Sequence, residues 1–253
     1  MRPLPTRVGI SDGADHRFVG YSALHELTGG ASLAGLLVLA VTGRLPPEEE
    51  TPFFDEIAAL LCAADGRVWP LKIGRILSAY GKVMPGFAAP PISLEGTDTI
   101  GPWTTLGAAE LLERFAKQPD QPHALVSSTQ RLIGWGVALR SIDERFERLR
   151  QCVETRGRQA LPNWSNLVRL SEVIRAERKL APNISAGLAA ALLDLGFSPK
   201  QCAAFSVAVL CPMLIAHALE CTDERYAAYR ALPAERVSFV GRAARPLPTD
   251  WPR

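Results

Sequence analysis

A chain of 253 residues that is 47% hydrophobic, with a formal net charge of +2, is long enough to bury a sizeable core, which excludes bulk disorder. Its basic residues are not pooled into one block, which argues against nucleic acid as a partner. The N-terminal MRPLPTRVGISDGADHRF lacks the apolar run of a signal peptide, and the stretches around ASLAGLLVLAVTG and FSVAVLCPMLIAHALE each fall short of the roughly 20 residues that span a bilayer.

Along the chain the hydrophobic periodicity is helical nearly throughout. Tyr21 to Leu27 reads as a short helix stopped by Gly29-Gly30. Ser32 caps an apolar helix from Leu33 to Thr42, which Gly43 closes. Pro46-Pro47 and Glu48 to Glu50 start another helix, with proline and acids in its first turn. Pro70 opens a helix through Tyr80. Lys82 to Gly101 carries Pro85, Pro90 and Pro91 among glycines, and reads as a connection with at most one helical turn. A helix from about Trp103 to Lys117 follows, then a proline-broken loop from Gln118 to His123. Ile142 to Glu154 is amphipathic and charged, Leu161 to Arg178 is helical, and Ser185 to Leu195 is very apolar. Gly196-Phe197-Ser198-Pro199 is a turn and N-cap. Gln201 to Tyr229 is helical with one interruption near Pro212, and the tail RAARPLPTDWPR is too rich in proline for a helix. The reading is all-α, with a large helical domain (1–139 and 211–253) and a small helical lobe (140–210). The cysteines number five and show no CxxC spacing. Cys62, Cys202 and Cys211 lie in apolar runs and are expected to be reduced core thiols of a cytoplasmic protein. No metal site is expected.

Within this order of segments, VGYSALHELTGGASLAGLLVLAVTGRLPPEEE, TIGPWTTLGAAELL, IGWGVALRSIDER, the stretch from APNISAGLAAALLDLG to LIAHALE, and the closing VSFVG resemble the motifs of the citrate synthase superfamily. The likeness is to its short, citryl-CoA-lyase-like type. The matches follow in the family's order over roughly residues 15 to 241. The resemblance implies a two-lobed helical fold and a dimer, acting on an acyl-CoA and a dicarboxylate. It also implies that two histidines and an aspartate carry the acid-base chemistry. Those three positions fall on Thr104, Val137 and Ser185, none of which is an acid or base. One family substrate arginine falls on Leu210. Another falls near Ala234, with Arg236 two residues on as a substitute. A histidine often found near Asp65-Gly66 is absent. Arg145, in Asp143-Glu144-Arg145, is retained. The loop Gly134-Trp135-Gly136 keeps the family's turn, and its backbone and indole are the candidate contact for CoA.

The chain has four histidines, and a slip of a few residues returns none of them to the vacant positions. His16 lies at the start of the resemblance. His25 is expected on a solvated helix face and His123 in a loop. His217 matches a family histidine with a structural role. Two readings follow. The first is a non-catalytic member of the superfamily, a pseudoenzyme subunit that forms a homodimer, pairs with an active relative, or binds an acyl-CoA or carboxylate. It needs no cofactor beyond a possible CoA ligand. The alternative is an acyl-CoA-dependent enzyme that makes or breaks a C–C bond with a rebuilt site, drawing on Ser185, Thr104, Thr105, Cys211, Asp143 and Arg145. For Ser185 the bland reading is a helix N-cap, for Cys211 a core thiol, and for Asp143 to Arg145 a solvated helix start.

Overall fold

The computed structural model describes residues 4–62, 65–66, 68–81, 83–94, 101–137, 141–223 and 233–246. It opens on a three-stranded antiparallel meander, β1 (Gly9–Ser11), β2 (His16–Phe18) and β3 (Tyr21–Ser22). Asp12 builds its first turn by accepting the N–H groups of Ala14 and Asp15 at 3.0 and 2.9 Å. Strands of three residues or fewer carry too little alternation to be read from sequence, and this small sheet sits on a fold that is otherwise all-α as expected. The expected helix over Tyr21 to Leu27 is a strand followed by a π-helical turn, Ala23–Leu27, held by Thr28 N–H to Ala23 O at 3.0 Å.

Helices make up the rest. They are α1 (Leu33–Thr42), α2 (Thr51–Leu61), α3 (Trp69–Tyr80), α4 (Val83–Ser93), α5 (Pro102–Lys117), α6 (Pro122–Ser128), α7 (Glu144–Thr155), α8 (Pro162–Arg178), α9 (Ile184–Asp194), α10 (Pro199–Ala208) and α11 (Cys211–Asp223). Capping residues set several ends where the sequence placed them. Ser32 Oγ accepts Gly35 N–H at 2.9 Å, and Gly43 terminates α1 in the left-handed region at φ 79°. Ser198 and Gln201 form a reciprocal capping box at α10. The break near Pro212 is a turn at Val209-Leu210. The end of the helix expected to run to Tyr229 lies outside the described residues. α6 begins at Pro122, inside the loop expected up to His123.

The largest departure is α4. Two adjacent prolines argue for a connection, because each removes a helical N–H. The helix forms because its small residues fit against α3, so tertiary packing overrides propensity. The ideal Cβ position of Gly74 lies 2.6 Å from Gly86 O and 2.8 Å from Pro90 Cγ, so only glycine allows this approach.

The hydrophobic residues form two clusters. The main one runs from Ala34 to Val209 and joins α1, α2, α5 and α7 to α10. At its centre Phe54, Phe197 and Phe205 pack with ring centroids 5.4 to 6.0 Å apart. The described segment 141–210 therefore shares one core with the helices before it. The second cluster, Leu71, Met213 and Leu214 with Val68 and Phe87, ties α3 and α4 to α11, and Leu210 touches both. Burial of α9 is almost complete within this one chain, so its apolar character needs no second subunit. α10 and α11 together, Pro199–Thr222, are long and apolar enough to cross a membrane by length and composition, which amends the sequence estimate. In this fold they pack instead, with Cys202, Phe205, Leu214, Ala218 and Cys221 buried.

Polar groups join the layers. The Asp194 carboxylate caps the start of α8, accepting Asn163 N–H at 2.8 Å and Trp164 N–H at 2.9 Å. Arg44 Nη2 donates to Leu195 O and Gly196 O at the end of α9, at 2.9 and 3.2 Å. Arg156 and Arg158, just past α7, pair with Glu56 and Glu50, both at 2.9 Å. Both guanidinium groups lie about 5.5 Å from the Phe53 ring. The Arg156 guanidinium holds the Glu56 carboxyl below its usual range. All five cysteines are free. Cys202 fits the expectation of a core thiol, its pKa pushed up to about 12 by burial. Cys62 does not, because it ends α2 and is exposed.

Candidate functional site

The positions singled out in the sequence converge at the N-terminal ends of α5 and α9. Gly101, with φ 97°, turns the chain into α5, and Thr104 sits in its first turn, buried. Thr104 Oγ1 donates to Gly101 O at 2.5 Å and meets Ser185 Oγ at 2.7 Å. The single Thr104 proton is directed at Gly101, so Ser185 is the donor between the two hydroxyls. Ser185 is not an N-cap, as expected from sequence. Asn183 holds that position, accepting Ser185 N–H at 2.9 Å, and Ser185 is the second residue of α9.

The loop carrying Gly134, Trp135, Gly136 and Val137 lies beside this pair. It runs against 181–183 as a short antiparallel bridge. Asn183 N–H donates to Gly134 O at 2.9 Å, Gly136 N–H donates to Ala181 O at 2.7 Å, and Asn183 Nδ2 donates to Gly136 O at 2.9 Å. Both glycines have positive φ, 95° and 92°, and a Cβ on Gly134 would sit 2.7 Å from Ala108 Cβ. Local geometry thus accounts for the Gly-x-Gly spacing. Trp135 is 6% exposed, and its indole N–H donates to Ser171 Oγ at 2.9 Å. The open stacking face expected of it is absent from this arrangement, because the ring is part of the main core. Val137 is half-buried, and 138–140 lie outside the described residues.

Asp143 is the residue whose role the sequence reading missed. Its carboxylate is 1% exposed, takes Ile184 N–H at 3.0 Å, and grips Arg145 through Nε and Nη2, both at 3.0 Å. It joins the start of α7 to the start of α9, one residue before Ser185. Burial pushes its pKa up, and the Arg145 guanidinium with the Ile184 and Arg145 N–H groups overcomes this, so the carboxyl stays below its usual range. The expected solvated helix start is therefore a buried tertiary link. No sequence pattern reveals this, since an Asp before a helix is equally the mark of a local cap.

The remaining candidates are dispersed. Arg145 also borders an open pocket of about 370 Å³ between α2 and α7, lined by Glu56, Ala59, Leu60, Glu144, Arg145, Arg148 and Cys152. The Thr104–Ser185 pair does not line it. Arg236 is exposed on the 3-10 turn Ala234–Arg236, within a segment, 233–246, that is exposed throughout. No hydrogen bond or ion pair among the described residues ties it to Arg145. Leu210 is an apolar joint between the two hydrophobic clusters. Cys211 is half-buried at the start of α11, its thiol pushed up by burial. Thr105 is buried and accepts from Ser206 at 3.3 Å. His16 and His25 are exposed, and His123 pairs with Glu177 at the surface. His217 contacts Arg75 at 3.2 Å, and Arg75 also bonds Glu220. The His217 ring edge lies 3.4 Å from where a Cβ at Gly66 would stand. No cluster of His, Cys, Asp and Glu among the described residues is arranged to hold a metal ion.

What this geometry defines is an all-α fold of stacked helical layers, with a polar focus where α5, α9 and the 134–137 loop meet. It is the fold of citryl-CoA lyase. Citryl-CoA lyase from Hydrogenobacter thermophilus superposes with a TM-score of 0.85 over 98% of both chains, at 20% sequence identity. ATP citrate lyase from Methanothrix soehngenii, solved with citrate and coenzyme A, gives 0.78 at 16% identity. The D541A variant of the Methanosaeta concilii enzyme, solved with (3S)-citryl-CoA, gives 0.76 at 15% identity. This chain is covered to 96% in both cases but spans 43% of those longer chains. No family model and no curated protein matches the sequence.

Proposed function

We propose that this chain is a non-catalytic protein of citryl-CoA lyase fold, a pseudoenzyme subunit that keeps the scaffold without its proton-transfer groups. The observation that carries this reading is the Thr104–Ser185 contact at 2.7 Å. Two positions that would hold an acid or base are hydroxyls bonded to each other, and the third is Val137. Cleaving or making a C–C bond next to a thioester requires a proton to leave or reach carbon, which needs a group titrating near the working pH. A Ser or Thr hydroxyl does so only beside a base, and here the Ser185 proton is directed at another hydroxyl. With the Trp135 ring packed and the Gly134–Gly136 backbone paired to 181–183, an acyl-CoA would have to bind without that loop. The retained anion contact is assigned to Arg145, with Arg236 as a distant second. The test is a steady-state assay of pure protein against citryl-CoA, acetyl-CoA with oxaloacetate, and a panel of other CoA thioesters. Wild type and Val137→His should both be inactive, because acid-base groups act as a unit. Turnover by the single variant would show that the other two positions retain competence.

The second reading, a rebuilt active site, draws support from the His217, Arg75 and Glu220 cluster beside Gly66. Among the described residues, a histidine here approaches the stretch near which the family often has one. If this reading held, the panel would show a thioester consumed by wild type and spared by His217→Asn.

The proposed assembly is a cytoplasmic homodimer, or a heterodimer with an active relative. The surface for it is the layer of α3, α4 and α11, where Trp69, Ile76, Tyr80, Met84, Ile92, Ile215 and Leu219 are all exposed, a density unusual for a monomer. Light-scattering mass at micromolar concentration should give a dimer, and Ile215→Glu with Leu219→Glu should give a folded monomer. A wild-type monomer of full stability would remove the homodimer, and recovery of homodimers alone on co-expression with an active relative would remove the heterodimer.

A further inference from the structure

The pocket between α2 and α7 shares only Arg145 with the reading above. Its floor is apolar, built from Ala59, Leu60 and Cys152, while α7 brings Arg145 and Arg148 to one side. At about 370 Å³ it falls at the lower end of the ~300–1,000 Å³ of small-molecule sites.

The charges around it are unequal in their freedom. Glu56 is held by Arg156 through two bonds, at 3.1 and 2.9 Å. Glu144 has a partner within the chain. Arg145 is neutralised by the buried Asp143, yet its bonds to that carboxylate use Nε and Nη2, and its side chain is 34% exposed. Arg148 differs from all of these. Its bond is to a neutral group, Gln151 Oε1, at 3.0 Å. The site thus offers one guanidinium that makes no ion pair among the described residues, close enough to Glu56 to help hold that carboxyl low, a second guanidinium beside it, and an apolar wall. A guanidinium suits a planar carboxylate, and an apolar wall suits a hydrocarbon chain.

We propose that the α2–α7 pocket binds a small organic anion, a carboxylate on a short apolar chain. The carboxylate meets Arg148 with Arg145 beside it, and the chain lies on Ala59, Leu60 and Cys152. This site is separate from Thr104 and Ser185, and the proposal stands whether or not the protein turns over a thioester.

Hexanoate is the probe, with hexanamide and inorganic phosphate as its uncharged and inorganic counterparts. The readouts are ligand-observed NMR titration of the full chain and protection of Cys152 from N-ethylmaleimide, followed by peptide mass spectrometry. Wild type should bind hexanoate and be protected at Cys152, with hexanamide and phosphate each at least about tenfold weaker. Arg148→Ala should weaken hexanoate by about tenfold or more. Arg150→Ala removes the same charge from the same helix, where Arg150 pairs with Glu147 and Glu154, and should bind as wild type does. Ala59→Trp should abolish binding by filling the pocket. Should that variant fail to fold, Arg148→Ala and the protection of Cys152 decide alone. The proposal is overturned if wild type shows neither binding nor protection, if Arg148→Ala binds as wild type does, or if phosphate or hexanamide binds as well as hexanoate.

Discussion

Asp143→Ala is expected to destabilise the folded chain by about 3 kcal/mol at neutral pH, the largest loss expected from any polar group described above. The carboxylate is 1% exposed and receives four bonds, from Ile184 N–H, Arg145 N–H and the Arg145 guanidinium. Its removal leaves a buried N–H at the start of α9 and a guanidinium without its counter-charge. Partial exposure of Arg145 lets water solvate that charge, which keeps the cost at the lower end for a broken buried pair. In a chain of this size the melting temperature should fall on the order of 6–12 °C. Asp143→Asn should recover only part of the loss, since its amide places a donor against Arg145 or Ile184. The pH dependence has a definite sign. The folded pKa lies below the reference value of 3.8, so the contribution is complete above 3.8 and is lost as pH falls through the folded pKa. Urea titrations should therefore separate wild type from Asp143→Ala fully at pH 7 and progressively less below pH 3.8. A gap that is unchanged well into acid would mean that the ion pair is not what stabilises the link.

Gly86→Ala is expected to cost about 3 kcal/mol for a different reason. A Cβ there would overlap Ser78 Oγ and approach Gly74 O at 2.7 Å, so α4 must move away from α3. Ser78 supplies an internal control. It is 1% exposed, and its hydroxyl has no hydrogen-bond partner among the described residues. Ser78→Ala alone should be neutral or stabilising by about 1 kcal/mol, because it removes an unsatisfied buried polar atom. In the Gly86→Ala background it should recover part of the loss. Thermal unfolding of the two single variants and the double variant checks this, and additive costs would place the strain elsewhere.

The contrast between α1 and α4 explains what was legible in the sequence. α1 announces both its ends, a Ser32 cap and a Gly43 stop, and these are local chemistry. α4 is helical against its own local chemistry, because glycines and a proline at Gly74, Gly86 and Pro90 let two backbones approach. That complementarity is spread over two segments and shows no period in either. The candidate site divides in the same way. The motif order placed Thr104, Ser185 and the 134–137 loop together, and the structure brings Thr104 and Ser185 into contact with the loop paired to 181–183 next to them. The bonds that organise them, Asp143 to Ile184 and Trp135 to Ser171, cross 41 and 36 residues between side chains that look ordinary in sequence. The apolar character of α9 was legible, but what covers it was not, because composition cannot tell a helix covered by its own chain from one covered by another.

The central claim is the loss of proton transfer at Thr104, Val137 and Ser185. Its most direct measurement is a single-turnover incubation of citryl-CoA with the pure protein in molar excess, following release of acetyl-CoA against time. Excess protein removes product release and weak turnover as explanations of a small signal. The account predicts a rate equal to that in buffer, and the same rate with Thr104→Ala and Ser185→Ala. Release faster than buffer that disappears in either variant would contradict it, because the hydroxyl pair would then be part of a working active site.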